Sequence, residues 1–188
     1  MKQKSKIILS LLASVWIILP LYIIIHEAGH SLIAILCGAR ITKFSILGAY
    51  VSTEGGTYNN FTAPLMNIAG MLLPVLLAFV YALLYRKAVK NVFYRIISFF
   101  LCAAPVFSIL PWAIIPILYR FGNPPPGDDV TNFLDNSGID PLLVTIGAFM
   151  LLTPMILLVW HKGIVKNYWD TSKGFAVKET EREYEAKR

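Results

Sequence analysis

The feature that most constrains this sequence is a series of four apolar runs, each long enough to cross a lipid bilayer. They extend from about Ile7 to Cys37, Phe61 to Tyr85, Val92 to Tyr119 and Pro141 to Trp160. A helix needs about 20 residues to span the roughly 30 Å hydrocarbon core. Because unpaired backbone groups are costly in lipid, such runs form helices. The sequence therefore predicts an all-α polytopic membrane protein with about four transmembrane helices.

The composition supports a membrane protein and argues against a nucleic-acid-binding domain. Of the 188 residues, 56% are apolar and 15% are charged, and the mean hydropathy is +0.62. The net charge is +6, but the basic residues lie mainly at the ends of the apolar runs and in the tail, without a basic and aromatic binding face. We therefore expect a lipid bilayer and no nucleic acid as a partner. Cys37 and Cys102 lie inside apolar runs, where cysteine behaves as a small hydrophobe, and we assign them no function.

The first apolar run is longer than a membrane crossing requires. At about 1.5 Å per residue it forms a helix of roughly 45 Å, so we expect it to tilt, kink or protrude from the bilayer. Pro20 is the expected position of a kink, since proline removes a helical hydrogen bond.

The charges between the runs predict the orientation of the chain. The loop between the second and third runs is rich in basic residues, which favours the cytoplasmic side; these are Arg86, Lys87, Lys90 and Arg95. Basic residues also precede the first run and follow the fourth, whereas the loop after the third run contains four aspartates. We therefore expect a multi-pass protein of the cell membrane with both termini in the cytoplasm. Arg40 and Lys43 are the exceptions to this pattern.

The same pattern divides the chain into two parts. Residues 1–160 form the predicted integral membrane domain, and residues 161–188 form a polar cytoplasmic tail. Tyr168 and Trp169 are expected to anchor the tail at the membrane surface, and His161 is expected at the interface rather than at a metal. The alternating charges after Lys178 predict a solvated helix or disorder.

A metallopeptidase motif lies on the first predicted helix. His26-Glu27-Ala28-Gly29-His30 matches H-E-x-x-H. Histidines four residues apart share one helix face, so both imidazoles can bind one Zn²⁺. Glu27 projects about 100° away from His26 and is placed to act as a base on the attacking water. His26 and His30 are therefore predicted metal ligands, and Glu27 is the predicted catalytic residue.

A structural explanation of the motif is also available. The two histidines would then be interfacial side chains near a helix end, and Glu27 a charge that reaches towards the headgroups. However, Ser31 to Cys37 continues the apolar run beyond the motif. A charged side chain in the middle of a membrane helix costs about 2.5–3.5 kcal/mol on insertion scales, which favours a functional reason for Glu27.

The motif and its surroundings resemble the site-2 protease family of intramembrane zinc metalloproteases. HEAGH is followed by SLIAILCGA, then by the β-prone stretch Ile41 to Thr53, then by Asn67-Ile68-Ala69-Gly70-Met71. The resemblance implies a short strand or hairpin region between the first two membrane helices. The family has a proline and an asparagine where this chain has Met71 and Pro74, and Asn67 is the candidate for the missing polar role of holding the substrate carbonyl.

The resemblance also implies a third zinc ligand, which in the family is a later aspartate. The stretch Asn123 to Asp129, followed by Phe133 and Ser137 to Pro141, resembles the family's aspartate region in a register that favours Asp129. Asp128 is the alternative ligand. An aspartate after Pro-Gly is also a good N-cap for a short helix from Val130 to Leu134, so a capping role is the other interpretation of either residue.

The predicted function is that of a zinc-dependent metalloendopeptidase. The resemblance implies hydrolysis of a membrane-embedded or membrane-proximal protein or peptide, with Zn²⁺ held by His26, His30 and Asp129. Two other functions stay open: a catalytically silent membrane adaptor of the same fold, favoured by Met71 and Pro74, and a metal- or ion-translocating protein in which the motif lines a polar pathway. The substrate and the oligomeric state do not follow from the sequence.

Overall fold

The computed structural model describes residues 3–173 and forms a helical bundle with one β-hairpin. The elements in chain order are α1 (Gln3–Leu36), β1 (Ala39–Ser45), β2 (Tyr50–Gly55), α2 (Thr62–Leu84), α3 (Val92–Ser108), α4 (Leu110–Arg120), α5 (Asp129–Ser137) and α6 (Pro141–His161). Residues 164–173 are also helical. The alternating charges after Lys178 lie outside the described residues.

Four helical segments are long and apolar enough to cross a membrane, which confirms the predicted fold class. They are Lys4–Leu36, Thr62–Leu84, Val92–Arg120 and Pro141–His161. Pro20 lies inside α1, which continues through it. The third span is divided into α3 and α4 at Ile109, which ends one helix and caps the next. Pro111 explains this break, because it has no N–H to continue the ladder of hydrogen bonds.

The segment between α1 and α2 forms the predicted hairpin. β1 and β2 pair antiparallel, with Ala39 opposite Gly55 and Ser45 opposite Tyr50. The register shifts between Ile41 and Lys43, which indicates a bulge. Gly38 ends α1 with a φ of 85°, a left-handed conformation that favours glycine. The chain therefore turns sharply from the long helix into the hairpin.

Two buried clusters hold the helices together. One joins α2, α4, α5 and α6 around Val75, Ile109, Trp112, Val130 and Met155. The other surrounds Cys102 and Ile164 near the C-terminal end of α2. Since Val130 and Leu134 belong to the first cluster, the short helix α5 is anchored against the membrane helices rather than suspended in a loop.

Helices α1 and α2 approach each other closely at three small residues. A Cβ added to Gly29 would lie 2.2 Å from the Ala69 carbonyl oxygen, and one added to Gly70 would lie 2.2 Å from His30 Nε2. Neither position has room for a methyl group. Small residues at such crossings let helix backbones pack against each other in membranes. The crossing brings the first half of α2 against the H-E-x-x-H motif.

The helical residues after α6 pack back onto the bundle. Asn167 is buried, and its Nδ2 donates to the Tyr85 hydroxyl at 2.9 Å and to the Lys87 carbonyl at 3.0 Å. The ring of Tyr168 stacks on Phe99 with a centroid distance of 4.1 Å. The end of α6, the end of α2 and the start of α3 therefore meet at one end of the bundle.

Candidate metal centre

The two motif histidines project from one face of α1 and converge on a single point. His26 Nε2 and His30 Nε2 are 3.2 Å apart. His30 is 8% exposed, and its Nδ1 lies 2.7 Å from the carbonyl oxygen of Met66 on α2. Because a carbonyl only accepts hydrogen bonds, Nδ1 of His30 carries the proton. When the ring is neutral, it therefore presents its Nε2 lone pair to the site, as a metal-ligating histidine does.

Asp129 reaches the same point from α5. Its Oδ2 lies 3.2 Å from Nε2 of His26 and 3.2 Å from Nε2 of His30. His26, His30 and Asp129 are the group of histidine, cysteine and acidic side chains within residues 3–173 that is placed to hold a metal ion. The three residues singled out from the sequence as ligands are thus brought together by the fold.

Asp128, the alternative ligand, has a different position. It is the N-cap of α5, and its Oδ1 accepts a hydrogen bond from the Val130 N–H at 2.8 Å. Thr131 Oγ1 donates to the Pro125 carbonyl and holds the preceding loop against the helix. Capping thus directs Asp128 to the helix backbone, while the next residue, Asp129, turns towards the histidines.

The distances between the three atoms fit a tetrahedral metal site. Zinc bonds to histidine nitrogen and carboxylate oxygen are about 2.0–2.1 Å long, so the ligand atoms of a tetrahedral site lie about 3.3 Å apart. All three edges of the triangle here are 3.2 Å. One proton can bridge only one pair of these atoms, whereas one cation satisfies all three lone pairs. The residues present therefore fit Zn²⁺, which His26, His30 and Asp129 would hold.

The electrostatics of Asp129 suit a ligand. Burial disfavours its ionised form, but hydrogen bonds from His26 and His30, whose rings donate to the carboxylate when they are protonated, outweigh burial and hold the pKa of the carboxyl well below its usual value. Its place in the first turn of α5 also favours a negative charge, because the helix N-terminus carries a partial positive charge. Asp129 therefore stays ionised, as metal binding requires.

Glu27 lies beside this cluster without joining it. Its side chain is buried, with 5% exposure, and it lines the same cavity as the two histidines and Asp129. Burying a carboxylate is costly, so its presence in the same cavity as the three ligand residues favours a chemical role.

The cavity at this site is about 450 Å³ and is walled by four elements. Besides the motif and Asp129, its lining includes Tyr50 and Val51 of β2, Met66 and Asn67 of α2, and Asn132 of α5. The Nδ2 of Asn67 is buried without a hydrogen-bond partner among the described residues.

Several parts of the site were not identified from the sequence. Asn132 follows Asp129 by one helical turn, so its spacing was a usable signal once α5 was placed. Tyr22 precedes His26 by one turn, and its hydroxyl lies 3.4 Å from Nδ1 of that histidine, at the long limit for a hydrogen bond. The Met66 carbonyl carries no signal in the sequence, because every residue has one.

A helical bundle with four candidate membrane spans, an H-E-x-x-H helix and a carboxylate on a later helix is typical of a membrane metallopeptidase. The sequence model of the Peptidase M50B-like family matches residues 6–121, more than half of the chain. The chain therefore belongs to the Peptidase M50B-like family, which confirms the predicted resemblance to site-2 proteases. The match contains His26, Glu27 and His30 but ends before Asp129, so the assignment of that aspartate rests on the geometry. No curated protein and no solved structure matches the chain.

Proposed function

We propose that this protein is an intramembrane zinc metalloprotease that hydrolyses peptide bonds of membrane-embedded or membrane-proximal substrates. The observation that carries the proposal is the meeting of His26, His30 and Asp129 within 3.2 Å of one another, with Glu27 in the same cavity. Membership of a metallopeptidase family supports it. The position of the motif within a candidate membrane span supports chemistry at or below the membrane surface.

The residues of the site divide into ligands and a base. His26, His30 and Asp129 would hold Zn²⁺, which when bound supplies a Lewis acid that polarises a carbonyl and acidifies water. Glu27 takes the proton from the attacking water and returns it to the leaving amine. The Met66 carbonyl holds the ring of His30 in one orientation and keeps its Nε2 directed at the ligand cluster.

The hairpin is placed to present the substrate to this site. β2 pairs with β1 on one side only, and its residues Tyr50 and Val51 line the cavity. An extended substrate can add to the other edge of β2 and gain backbone hydrogen bonds. This matters because a peptide bond in a membrane helix is already hydrogen-bonded, and the helix must unwind before attack. Strand addition replaces the bonds that unwinding breaks.

We assign to Asn67 the role of donating a hydrogen bond to the substrate carbonyl. Met71 and Pro74 are both buried in the packed helix interface and provide no polar group there. Asn67 instead lines the cavity, and its buried Nδ2 has a free donor capacity. A donor at this position stabilises negative charge that develops on the carbonyl oxygen during attack.

The decisive experiment compares membranes that contain the wild type with membranes that contain Glu27→Gln. Proteomics should find membrane-protein fragments released by the wild type and absent with the variant, while both purified proteins hold about one zinc per chain. Zinc binding without any Glu27-dependent fragment would support the silent adaptor instead. If the wild type transports zinc in proteoliposomes and Glu27→Gln changes that transport, the result would support a metal-translocating function instead.

A further inference from the structure

A second cavity lies at the end of the bundle remote from the metal centre. Its volume is about 460 Å³, and its lining combines two lysines, one histidine and two tryptophans: Lys87, Lys166, His161, Trp160 and Trp169. The loop after α2, the end of α6 and the helical residues 164–173 all contribute to it. None of these residues takes part in the proposed hydrolysis.

The cavity is held in shape by buried contacts. Asn167 is 7% exposed, and its Nδ2 binds the carbonyl of Lys87, so residues 164–173 fix the loop that carries this lysine. Gly163 has a φ of 75°, and a Cβ there would lie 3.1 Å from Cε of Lys87. The stem of Lys87 therefore packs on the turn after α6, and this places Lys87 in the lining of the same cavity as Lys166.

The surroundings of the cavity are strongly basic. Residues 85–95 and 161–173 contain seven lysines and arginines against the single acidic residue Asp170. These seven are Arg86, Lys87, Lys90, Arg95, Lys162, Lys166 and Lys173. The positive charge therefore lowers the free energy of an anionic group in the cavity. Basic pockets at the ends of membrane helices bind anionic lipid headgroups in this way.

The aromatic and apolar neighbours indicate a lipid rather than a soluble anion. Trp160 is 70% exposed and Trp169 is 56% exposed, as expected of tryptophans at a membrane interface. An exposed apolar stripe continues from Trp160 along α6 through Leu157 and Met150, at helical spacing. This stripe provides a surface for acyl chains directly below the cavity.

We propose that this cavity binds the phosphate headgroup of one anionic phospholipid, with Lys87 and Lys166 as the phosphate-binding residues. The acyl chains lie along the exposed face of α6, and the two tryptophans hold the headgroup region at the level of the interface. The bound lipid would belong to the leaflet at the end of the bundle where α2 ends and α3 begins.

Native mass spectrometry of the full chain in detergent, titrated with phosphatidylglycerol or phosphatidylcholine, tests this proposal. Wild-type protein should hold one phosphatidylglycerol in preference to phosphatidylcholine. The double variant Lys87→Gln/Lys166→Gln should bind phosphatidylglycerol about 30-fold more weakly, since each lysine near a lipid phosphate contributes roughly a factor of five. Lys87→Arg/Lys166→Arg, which keeps both charges, should retain most of the affinity.

The matched control is Lys90→Gln/Lys162→Gln, which removes the same charge at the same end of the bundle but outside the cavity lining. Its affinity should change less than about threefold, because solvent and salt screen charges that lie outside the cavity. Equal weakening in the two glutamine double variants would show only a general surface attraction and would overturn the proposal. Displacement of the lipid by inorganic phosphate would also overturn it, because the cavity would then be a phosphate site that does not need acyl chains.

Discussion

At the residue scale, the site separates three ligands from one base. Glu27 lies in the same cavity as His26, His30 and Asp129 but is not part of the triangle of ligand atoms. A base that is not a ligand can be removed without removing the metal. The two kinds of residue are therefore distinguishable by measuring zinc content and hydrolysis on the same purified protein.

The first prediction concerns Glu27→Gln. The amide keeps the size of the side chain but cannot accept a proton, so hydrolysis should fall about 10²–10⁴-fold, the usual contribution of a positioned general base. Zinc content should stay at about one per chain. Elemental analysis and cleavage of a co-reconstituted membrane substrate give the two values. Loss of zinc in this variant would make Glu27 a ligand, and full activity would remove it from the mechanism.

The second prediction contrasts Asp129→Ala with Asp128→Ala. Asp129→Ala removes a ligand and should weaken zinc binding by at least roughly 100-fold, beyond the 10–100-fold effect of losing an outer-shell partner. Asp128→Ala removes a helix cap and should cost only about 0.5–2 kcal/mol of local stability, with zinc retained. Competition with a chelator measures both affinities. If Asp128→Ala proves the sensitive variant, the aspartate assignment shifts by one residue.

At the element scale, the crossing of α1 and α2 determines whether the histidines can converge. His30 bonds to the Met66 carbonyl of α2, and Gly70 leaves the space that both imidazoles occupy. The positions of the two helices relative to each other are therefore part of the metal site. The hairpin and α5 depend on the same crossing, because they form the remaining walls of the cavity.

The third prediction is that Gly70→Ala abolishes zinc binding while the protein stays folded. The new methyl group would lie 2.2 Å from Nε2 of His30 and 2.8 Å from Nε2 of His26, so the rings or the helix must move. Gly147→Ala is the control, because a Cβ at this position on α6 has no neighbour within 4 Å. Zinc content and thermal unfolding should be measured for both. Normal zinc binding in Gly70→Ala would show that the α1–α2 crossing is looser than described.

At the scale of the whole molecule, the bundle places its two proposed sites at opposite ends. The metal centre joins the second half of α1, the start of α2 and α5, whereas the basic cavity joins the end of α2 and the residues after α6. The loops that the charge pattern assigned to the outer side lie at the first end, and the basic segments lie at the second. The orientation of the bundle in the membrane stays a prediction.

The fourth prediction tests this orientation with single cysteines in a variant that lacks Cys37 and Cys102. A cysteine at Asn123, in the loop between α4 and α5, should react with an impermeant thiol reagent added to intact cells. A cysteine at Lys90, in the basic loop, should react only after the membrane is permeabilised, because basic loops remain in the cytoplasm. Reaction of both cysteines from the same side would contradict the four-span arrangement.

The sequence by itself determined the features that depend on local spacing. Apolar runs of sufficient length specify membrane helices wherever they occur, and two histidines four residues apart share a face of any helix. The four spans and the roles predicted for His26, Glu27 and His30 therefore followed from short stretches of chain, whereas the hairpin region followed from the family resemblance. The break at Ile109 did not follow, because prolines within membrane helices are tolerated in most positions.

Only the tertiary structure decided which groups meet across long stretches of chain. The register of the family resemblance favoured Asp129 and left Asp128 as the alternative, and in the structure the backbone turn at the start of α5 directs Asp128 to the helix cap and Asp129 to the histidines. The Met66 carbonyl and the space at Gly70 become parts of the site only when α2 crosses α1. Lys87 and Lys166 likewise line one cavity, and the hydrogen bond from Asn167 to the Lys87 carbonyl holds the loop that carries Lys87. Local patterns cannot specify these contacts, because the packing of whole helices determines which side chains come within bonding distance.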